Sequence, residues 1–239
     1  MRRWPGRHRG IAVVVAVAVV VGVVWSVKLA RVARSVERNA DYWSGPRGQL
    51  GGLLYVALGD SAAQGIGASR PERGYVGLLA EWLRQRTGRP VQVINLSRSG
   101  ARISDVRDTQ VPALAALGRT PEVLTVGIGG NDMAGYDWQR FAMAAERLTA
   151  ALPSGSYVAD VPYFMHGRWE RDAQQAADLL RDSATRHGLR PVPLHAALEA
   201  QGWQGMFTQF AADWFHPNDR GYRIWAEAFW REIDRNIAR

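Results

Sequence analysis

The sequence predicts a three-layer α/β domain built on a doubly wound parallel sheet of about five strands, preceded by one N-terminal transmembrane helix. Short apolar runs alternate with longer amphipathic ones along residues 52–239, which is typical of a parallel sheet covered by helices on both faces. The apolar runs are nearly continuous, as expected for strands that are buried on both sides. A separate uncharged run, residues 11–27, is too long for a core strand and has no polar face.

Each element of the predicted domain follows from one of these runs. The predicted strands are Leu53–Leu58, Val91–Leu96, Glu122–Ile128, Ser156–Val161 and Arg190–Leu194. The predicted helices are Gly74–Arg86, Thr109–Leu117, Asp137–Ala151, Trp169–His187 and Asp219–Ile237. We therefore expect strand and helix to alternate through one domain, without an internal repeat.

The N-terminal region divides into three predicted parts. A basic tail (1–10) precedes a transmembrane anchor (11–29), and a juxtamembrane segment and linker (30–51) lead to the domain at residues 52–239. Arginines flank the apolar run on both sides, as expected at the two surfaces of a bilayer. The linker ends in a stretch rich in Gly and Pro, so a chain that starts near Gly51 is expected to be soluble and active.

Two questions about this anchor stay partly open at the level of sequence. No small-x-small pair follows the apolar run at a useful distance, because Lys28, Arg31 and Arg34 interrupt the candidates. This favours an uncleaved anchor over a cleaved signal peptide. Basic residues on both sides leave the orientation undecided. The usual behaviour of an N-terminal anchor predicts a single-pass membrane protein whose domain lies outside the cytoplasm.

The net charge of +8 argues against a nucleic-acid-binding domain once its distribution is considered. Nine of the 30 Lys and Arg residues but only two of the 22 acidic residues lie in residues 1–48, so residues 49–239 carry a net charge of only +1. A domain that binds DNA or RNA needs a basic face of its own.

The chain contains no cysteine, which excludes disulfides, thiolate metal sites and a cysteine nucleophile.

Four short motifs stand where a parallel sheet places its ligands, beyond the carboxyl ends of the strands. Gly59-Asp60-Ser61 follows the first predicted strand, Gly100 the second, and "GGND" with Asn131 and Asp132 the third, while "DWFHP" with Asp213 and His216 precedes the last helix. In type and order these four blocks resemble the motifs of the SGNH (GDSL-type) hydrolase family of serine esterases and lipases. The resemblance covers residues 53–220.

The resemblance implies a flavodoxin-like sheet with strand order 2-1-3-4-5 and a serine hydrolase that cleaves carboxylic esters without a metal or organic cofactor. It also implies an oxyanion hole formed by the backbone N–H groups of Ser61 and Gly100 and the side chain of Asn131. The residue types suit this chemistry. Ser61 needs a base such as His216 to take its proton, and Asp213 would hold the other imidazole nitrogen. The substrate is open at this point: a small-molecule ester, a lipid, an acetylated carbohydrate, a peptide-linked acyl group and a thioester are all compatible with the motifs.

Each of these residues also has a simpler interpretation. Ser61 and Gly100 can serve tight turns, Asn131 and Asp132 can cap the following helix, and Asp213 and His216 can be an ordinary loop pair. Four motifs in order favour the catalytic interpretation over all of these. We assign no catalytic role to Asp132 or to the other histidines, which are His8, His166, His187 and His195.

Two loops rich in large apolar side chains are candidates for the substrate pocket. One follows the fourth predicted strand and contains Tyr163, Phe164 and Met165, and the other leads into Asp213 and contains Trp214. Such side chains could hold an acyl chain, or they could pack the last helix onto the sheet.

Two further functions are compatible with the motifs: an acyltransferase of the same fold, and a non-catalytic binding domain.

Overall fold

The computed structural model describes residues 6–165 and 167–237, with side chains from residue 14 onward, so His166 and the first five residues of the predicted basic tail lie outside the described residues. The strands are β1 (Arg47–Gly48), β2 (Leu53–Gly59), β3 (Val91–Asn95), β4 (Val123–Gly127), β5 (Tyr157–Ala159) and β6 (Arg190–Val192). The helices are α1 (Gly6–Tyr42), α2 (Ser61–Gln64), α3 (Tyr75–Thr87), α4 (Ile103–Asp105), α5 (Val111–Ala115), α6 (Trp138–Ala151), α7 (Gly167–Arg186), α8 (Leu194–Glu199), α9 (Gly202–Thr208) and α10 (Asp219–Asp234).

The sheet confirms the predicted α/β fold class. Its strand order is β1-β3-β2-β4-β5-β6, and the five strands from β2 to β6 pair in parallel in the predicted order. The sheet has one strand more than expected, because β1 pairs with β3 antiparallel through Arg47 and Val93. This strand lies in the predicted linker. Its two residues give no periodic signal in the sequence, since only backbone pairing defines it.

The core forms two layers, one on each face of the sheet. Along β2, Leu53, Tyr55 and Ala57 join the cluster beneath α3 and α10. Leu54, Val56 and Leu58 alternate with them and join the cluster beneath α6 and α7. All six side chains are buried, which explains why the strand reads as a continuous apolar run.

The carboxyl end of β2 is crowded on both sides. Gly59 has φ +148°, and a Cβ atom at this position would lie 2.3 Å from the carbonyl oxygen of Gly127 on β4. The buried side chain of Gln110 accepts from the Gly59 N–H and donates to the Gly59 carbonyl, both at 2.8 Å. Only glycine fits here, and the chain therefore leaves β2 in one fixed direction.

Helix α1 continues without a break from the apolar run into the domain. It contains 37 residues and is therefore about 55 Å long. Within the described residues, one helix, α1, is long and apolar enough to cross a membrane: its most apolar 18-residue stretch has a mean hydropathy of 2.0, and none of this stretch is buried. Length and composition alone support this statement.

The last two turns of α1 pack against the loop that follows Ser61. The buried amide of Asn39 donates to the carbonyls of Gln64 and Gly65, both at 2.9 Å, and the indole N–H of Trp43 donates to Gln64 at 3.1 Å. Ser35, also buried, accepts from the N–H of Gly67 at 3.3 Å. The boundary near Gly51 stays a prediction, and these contacts favour a boundary N-terminal to Ser35.

Replacing Asn39 by alanine is expected to lower the free energy of unfolding by about 1–3 kcal/mol, because two buried hydrogen bonds are lost. Chemical denaturation of the full chain in detergent measures the change. Asn236→Ala is the matched control: its amide donates to the carbonyl of Glu232 at an exposed site, so a change within about 0.5 kcal/mol is expected. Equal effects of the two substitutions would show that α1 does not support the domain.

Candidate active site

The loops that carry the predicted site residues leave neighbouring strands. Ser61 follows β2, Gly100 follows β3 and Asn131 follows β4, and β2 lies between β3 and β4 in the sheet. Parallel strands end at the same edge, so these three loops are neighbours. Asp213 and His216 come from the segment between α9 and α10.

Ser61, His216 and Asp213 form one hydrogen-bonded chain. The Ser61 Oγ lies 2.9 Å from the Nε2 of His216, and the Nδ1 of the same imidazole lies 2.6 Å from the Oδ2 of Asp213. Ser61 is buried, and His216 is partly buried. The geometry suits proton transfer from the hydroxyl to an imidazole whose other nitrogen is held by a carboxylate.

A short helix turn presents Ser61. Asp60 caps α2, since its Oδ1 accepts from the N–H of Ala62 at 2.9 Å, and Gly65 ends the helix in the left-handed conformation. Ser61 is the first residue of α2, and the first N–H groups of a helix have no acceptor within it. The Ser61 N–H is therefore available to a bound group.

Backbone hydrogen bonds orient the Asp213 carboxylate. Its Oδ1 accepts from the N–H groups of Phe215 at 3.2 Å and His216 at 3.1 Å, which leaves Oδ2 for the imidazole. Burial raises the pKa of Asp213, but the hydrogen bonds from His216 and the Phe215 N–H outweigh it and hold the pKa below its usual value. Asp213 is therefore ionised at neutral pH.

The two other predicted oxyanion donors have different surroundings. The Asn131 Nδ2 donates to the Ala101 carbonyl at 2.9 Å and makes only a long contact of 3.4 Å with Asp60 Oδ2. One of its two N–H groups thus donates a normal hydrogen bond, and the other makes only the long contact. Gly100 is exposed in a turn with φ +80°, a conformation that favours glycine.

Two acidic residues of the motifs lie in a poorly solvated environment. Burial raises the pKa of Asp60 to about 6, partly offset by the hydrogen bond from the Ala62 N–H. Burial also raises the pKa of Asp132 to about 6, and its Oδ2 accepts from the Ile103 N–H at 3.2 Å. Asp132 thus anchors the Ile103 backbone, beside the loop of Gly100.

Two polar side chains that the sequence analysis missed connect these loops. Gln64 donates to the Ser97 carbonyl at 3.0 Å and accepts from the Ser99 hydroxyl at 2.6 Å. Asn95 donates to the Ala63 carbonyl at 2.8 Å. Gln64 ends α2 and Asn95 ends β3, and both are buried; their place next to the Ser61 and Gly100 motifs was the available sequence signal. Together they fix the Gly100 loop against α2.

The candidate pocket is a mainly apolar cavity of about 300 Å³ beside Ser61 and His216. All four side chains predicted for the pocket line it: Tyr163, Phe164, Met165 and Trp214. Gly100 and Asn131 are not among its lining residues. Met165 and Trp214 are the non-glycine residues with positive φ in the described chain, at 75° and 56°. Such strained backbone is common at functional sites.

A buried histidine outside the four motifs, His195, supports the wall of this cavity. The Nδ1 of His195 lies 3.0 Å from the Val161 carbonyl oxygen, and its Nε2 lies 3.0 Å from Glu170 Oε1, without the alignment of a hydrogen bond. The Oε2 of Glu170 accepts from the Phe164 N–H at 2.6 Å. His195 and Glu170 therefore hold the loop that carries Phe164.

Within residues 6–165 and 167–237 we find no cluster of three or more His, Asp or Glu residues that could hold a metal ion.

Comparison with known proteins gives consistent results. Among curated proteins, a GDSL-like esterase of Mycobacterium tuberculosis is 25% identical over 185 residues, which cover 72% of this chain and 59% of that protein. The chain thus spans about three fifths of the length of this relative.

Solved structures share the fold at low sequence identity. An acetyl xylan esterase variant from Geobacillus stearothermophilus has a TM-score of 0.63 at 24% identity, covering 78% of this chain and 96% of its own. A member of the lipolytic G-D-S-L family from Veillonella parvula has a TM-score of 0.63 at 16% identity, covering 77% of this chain and 99% of its own.

A family model provides the assignment. The model of the GDSL-like lipase/acylhydrolase family matches residues 57–224, a segment that extends from β2 into α10 and contains all four motifs. The resemblance drawn from those motifs is thereby confirmed. Because the match spans well over half of the sequence, the chain belongs to the GDSL-like lipase/acylhydrolase family of ester-bond hydrolases.

Proposed function

We propose that the protein is a membrane-anchored serine hydrolase that cleaves carboxylic esters through an acyl-enzyme. The observation that carries the proposal is the hydrogen-bonded chain from Ser61 through His216 to Asp213, at 2.9 and 2.6 Å. In this proposal Ser61 is the nucleophile, His216 is the general base and then the general acid, and Asp213 orients the imidazole. Helix α1 is the anchor, with the domain on the extracytoplasmic side.

The first half-reaction forms the acyl-enzyme. The Nε2 of His216 takes the proton of the Ser61 hydroxyl while Oγ attacks the ester carbonyl carbon. The charge that develops on the carbonyl oxygen is stabilised by the Ser61 and Gly100 N–H groups and the Asn131 amide. His216 then protonates the leaving alcohol. In the second half-reaction a water molecule repeats these steps and releases the acid.

The surroundings of Ser61 support an acyl group as the part of the substrate that the cavity holds. Most of the lining is apolar, and the polar groups are concentrated at Ser61 and His216. Pockets of this composition bind an apolar group and orient it through a few polar contacts. Tyr163, Phe164, Met165 and Trp214 are the side chains that we propose to contact it.

Ser61→Ala is expected to abolish turnover of a short ester and labelling by a fluorophosphonate probe, because the nucleophile is removed. The fold should persist, since one hydroxyl group contributes little packing. His216→Ala should also abolish turnover. Ser154→Ala, at an exposed serine, is the control and should react like the unchanged protein. Undiminished labelling of the Ser61 variant would contradict the assignment, and assays with competing alcohols separate hydrolysis from acyl transfer.

Asn131→Ala is expected to lower kcat by roughly 10²–10³ if its amide stabilises the oxyanion. Steady-state kinetics with a short ester measures this, and KM should change little because the interaction strengthens only in the transition state. The substitution also removes the bond to the Ala101 carbonyl, so its unfolding temperature is measured beside that of Asn236→Ala. A lowered unfolding temperature with unchanged kcat would assign Asn131 a purely structural role.

Phe164→Ala is expected to change the relative rates for short and long acyl esters, because this side chain lines the cavity beside Ser61. Reaction of Ser61 with a small fluorophosphonate should be retained. Phe164 also packs against the core beneath α6 and α7, so Trp138→Ala serves as a control at an exposed aromatic residue. An unchanged chain-length profile with lower stability would place Phe164 in the core alone.

A further inference from the structure

A row of exposed aromatic side chains runs from α1 to the catalytic cavity. Trp25 stacks on Trp214 with 5.9 Å between ring centroids, and Phe207 lies 6.3 Å from Trp214 and 6.3 Å from Trp203. We call these four side chains the aromatic ridge. Their exposed fractions are 40, 51, 65 and 74% in the order Trp25, Trp214, Phe207 and Trp203. Exposed apolar patches of this kind mark interaction sites.

The position of Trp25 in the sequence indicates the depth of this ridge relative to a membrane. Trp25 stands near the end of the uncharged run, and the first charge after it is Lys28. A tryptophan at this point of a membrane-crossing helix lies at the level of the lipid headgroups. Trp214 stacks on Trp25 and therefore lies at the same level, and Phe207 and Trp203 continue the ridge from there.

A basic crevice adjoins the ridge between α1 and the start of α10. It encloses about 1000 Å³, and five cationic side chains line it: Lys28, Arg31, Arg34, Arg38 and Arg220. Its one carboxylate, Asp219, is bound to the N–H and hydroxyl of Ser69, both at 2.7 Å. In the part of the chain that the structure describes, none of the five cations forms an ion pair with a carboxylate. The crevice therefore keeps its positive charge.

One side chain of the ridge, Trp214, is also part of the mouth of the catalytic cavity. Trp214 lines both the cavity beside Ser61 and the basic crevice, and so does Phe210. Phe215 lines the cavity next to His216 and is 48% exposed. A group that leaves the headgroup region beside Trp214 therefore has a short path to Ser61.

We propose that the aromatic ridge and the basic crevice rest on the lipid surface of the membrane crossed by α1, and that the cavity takes its substrate, an amphiphilic acyl ester, from that surface. The proposal rests on the proposed esterase function for its second part. Indole and phenyl rings are favourable at the headgroup level, and the arginines match lipid phosphates in charge and geometry. The ridge and the crevice both lie next to the C-terminal end of the apolar run of α1, where the helix would leave the membrane.

The location of the ridge can be tested without any assay of activity. The chain has no cysteine, so Phe207→Cys introduces a single site for an environment-sensitive fluorophore. The labelled full chain is placed in phosphatidylcholine vesicles with phosphatidylglycerol, and lipids carrying a spin label on the acyl chain are added as quencher. Met143→Cys on α6, at a side chain that is 53% exposed, is the matched control.

We expect a blue-shifted emission and strong quenching for the label at position 207, and neither for the label at position 143. Absence of quenching at both positions would overturn the proposal, and the ridge would then be free for a protein partner. Equal quenching at both positions would overturn it too, since the membrane contact would not involve the ridge specifically.

The route of the substrate is tested by comparing two esters. We expect the double variant Trp203→Ser, Phe207→Ser, whose side chains lie outside the cavity lining, to turn over a water-soluble acetyl ester like the unchanged protein. Turnover of a long-chain ester carried in vesicles should fall several-fold. Trp138→Ser is the control for loss of an exposed aromatic ring. An equal rate of the double variant and the unchanged protein on the vesicle ester would overturn the route.

The contribution of the crevice is tested by charge reversal. Arg31→Glu with Arg34→Glu should remove the preference for vesicles that contain phosphatidylglycerol over pure phosphatidylcholine, a change of roughly fivefold per charge. Arg140→Glu with Arg168→Glu reverses the same number of charges at exposed sites elsewhere and should leave the preference intact. An undiminished preference in the first variant would remove the crevice from the proposal.

A failure of the proposed esterase function would give a different result from a failure of the membrane contact. Turnover of the acetyl ester would then be absent, while quenching at position 207 would persist.

Discussion

The close approach of β2 and β4 at their carboxyl ends is the constraint on which the site depends. Gly59 lies so near the Gly127 carbonyl that no side chain fits, and Gln110 holds both backbone groups of Gly59. The chain can leave β2 only through the turn that Asp60 caps, which presents Ser61 next to the loops of β3 and β4. A small shift at Gly59 would move the Ser61 hydroxyl relative to an imidazole that approaches from 155 residues further along the chain.

The fold class was predicted correctly because it depends on local patterns. The positions of the parallel strands follow from apolar runs, whereas their order was implied by the resemblance to the SGNH family. Asp213 and His216 are close together because one turn carries both groups. The chain from Ser61 to His216 was a prediction of the motifs, and its geometry supports the roles proposed above. Periodicity and motif order are properties of short segments, so they can be seen without a structure.

The residues that sequence analysis missed act through contacts between distant segments. Gln110 meets Gly59 across 51 residues, and Asn39 meets Gln64 across 25 residues from a segment that reads as a juxtamembrane helix. His195 has no motif around it, yet it is buried behind the loop of Phe164. Hydrogen bonds of this kind depend on the packing of helices onto the sheet, and single-sequence patterns carry no information about their partners.

Because α1 is one continuous helix, it connects the apolar segment rigidly to the α/β domain, which a flexible linker would not do. The helix runs from the apolar segment to Tyr42, and Asn39 near its end donates to the carbonyls of Gln64 and Gly65 at the end of α2. Because a helix is stiff over this length, its position in a membrane would determine the height and orientation of the domain above the bilayer. Two independent contacts hold α1 against the domain: Trp25 with Trp214 near the middle of the helix, and Asn39 with Gln64 in its last turn. In our proposal, an anchor docked in this manner would direct the cavity beside Ser61 toward the lipid surface.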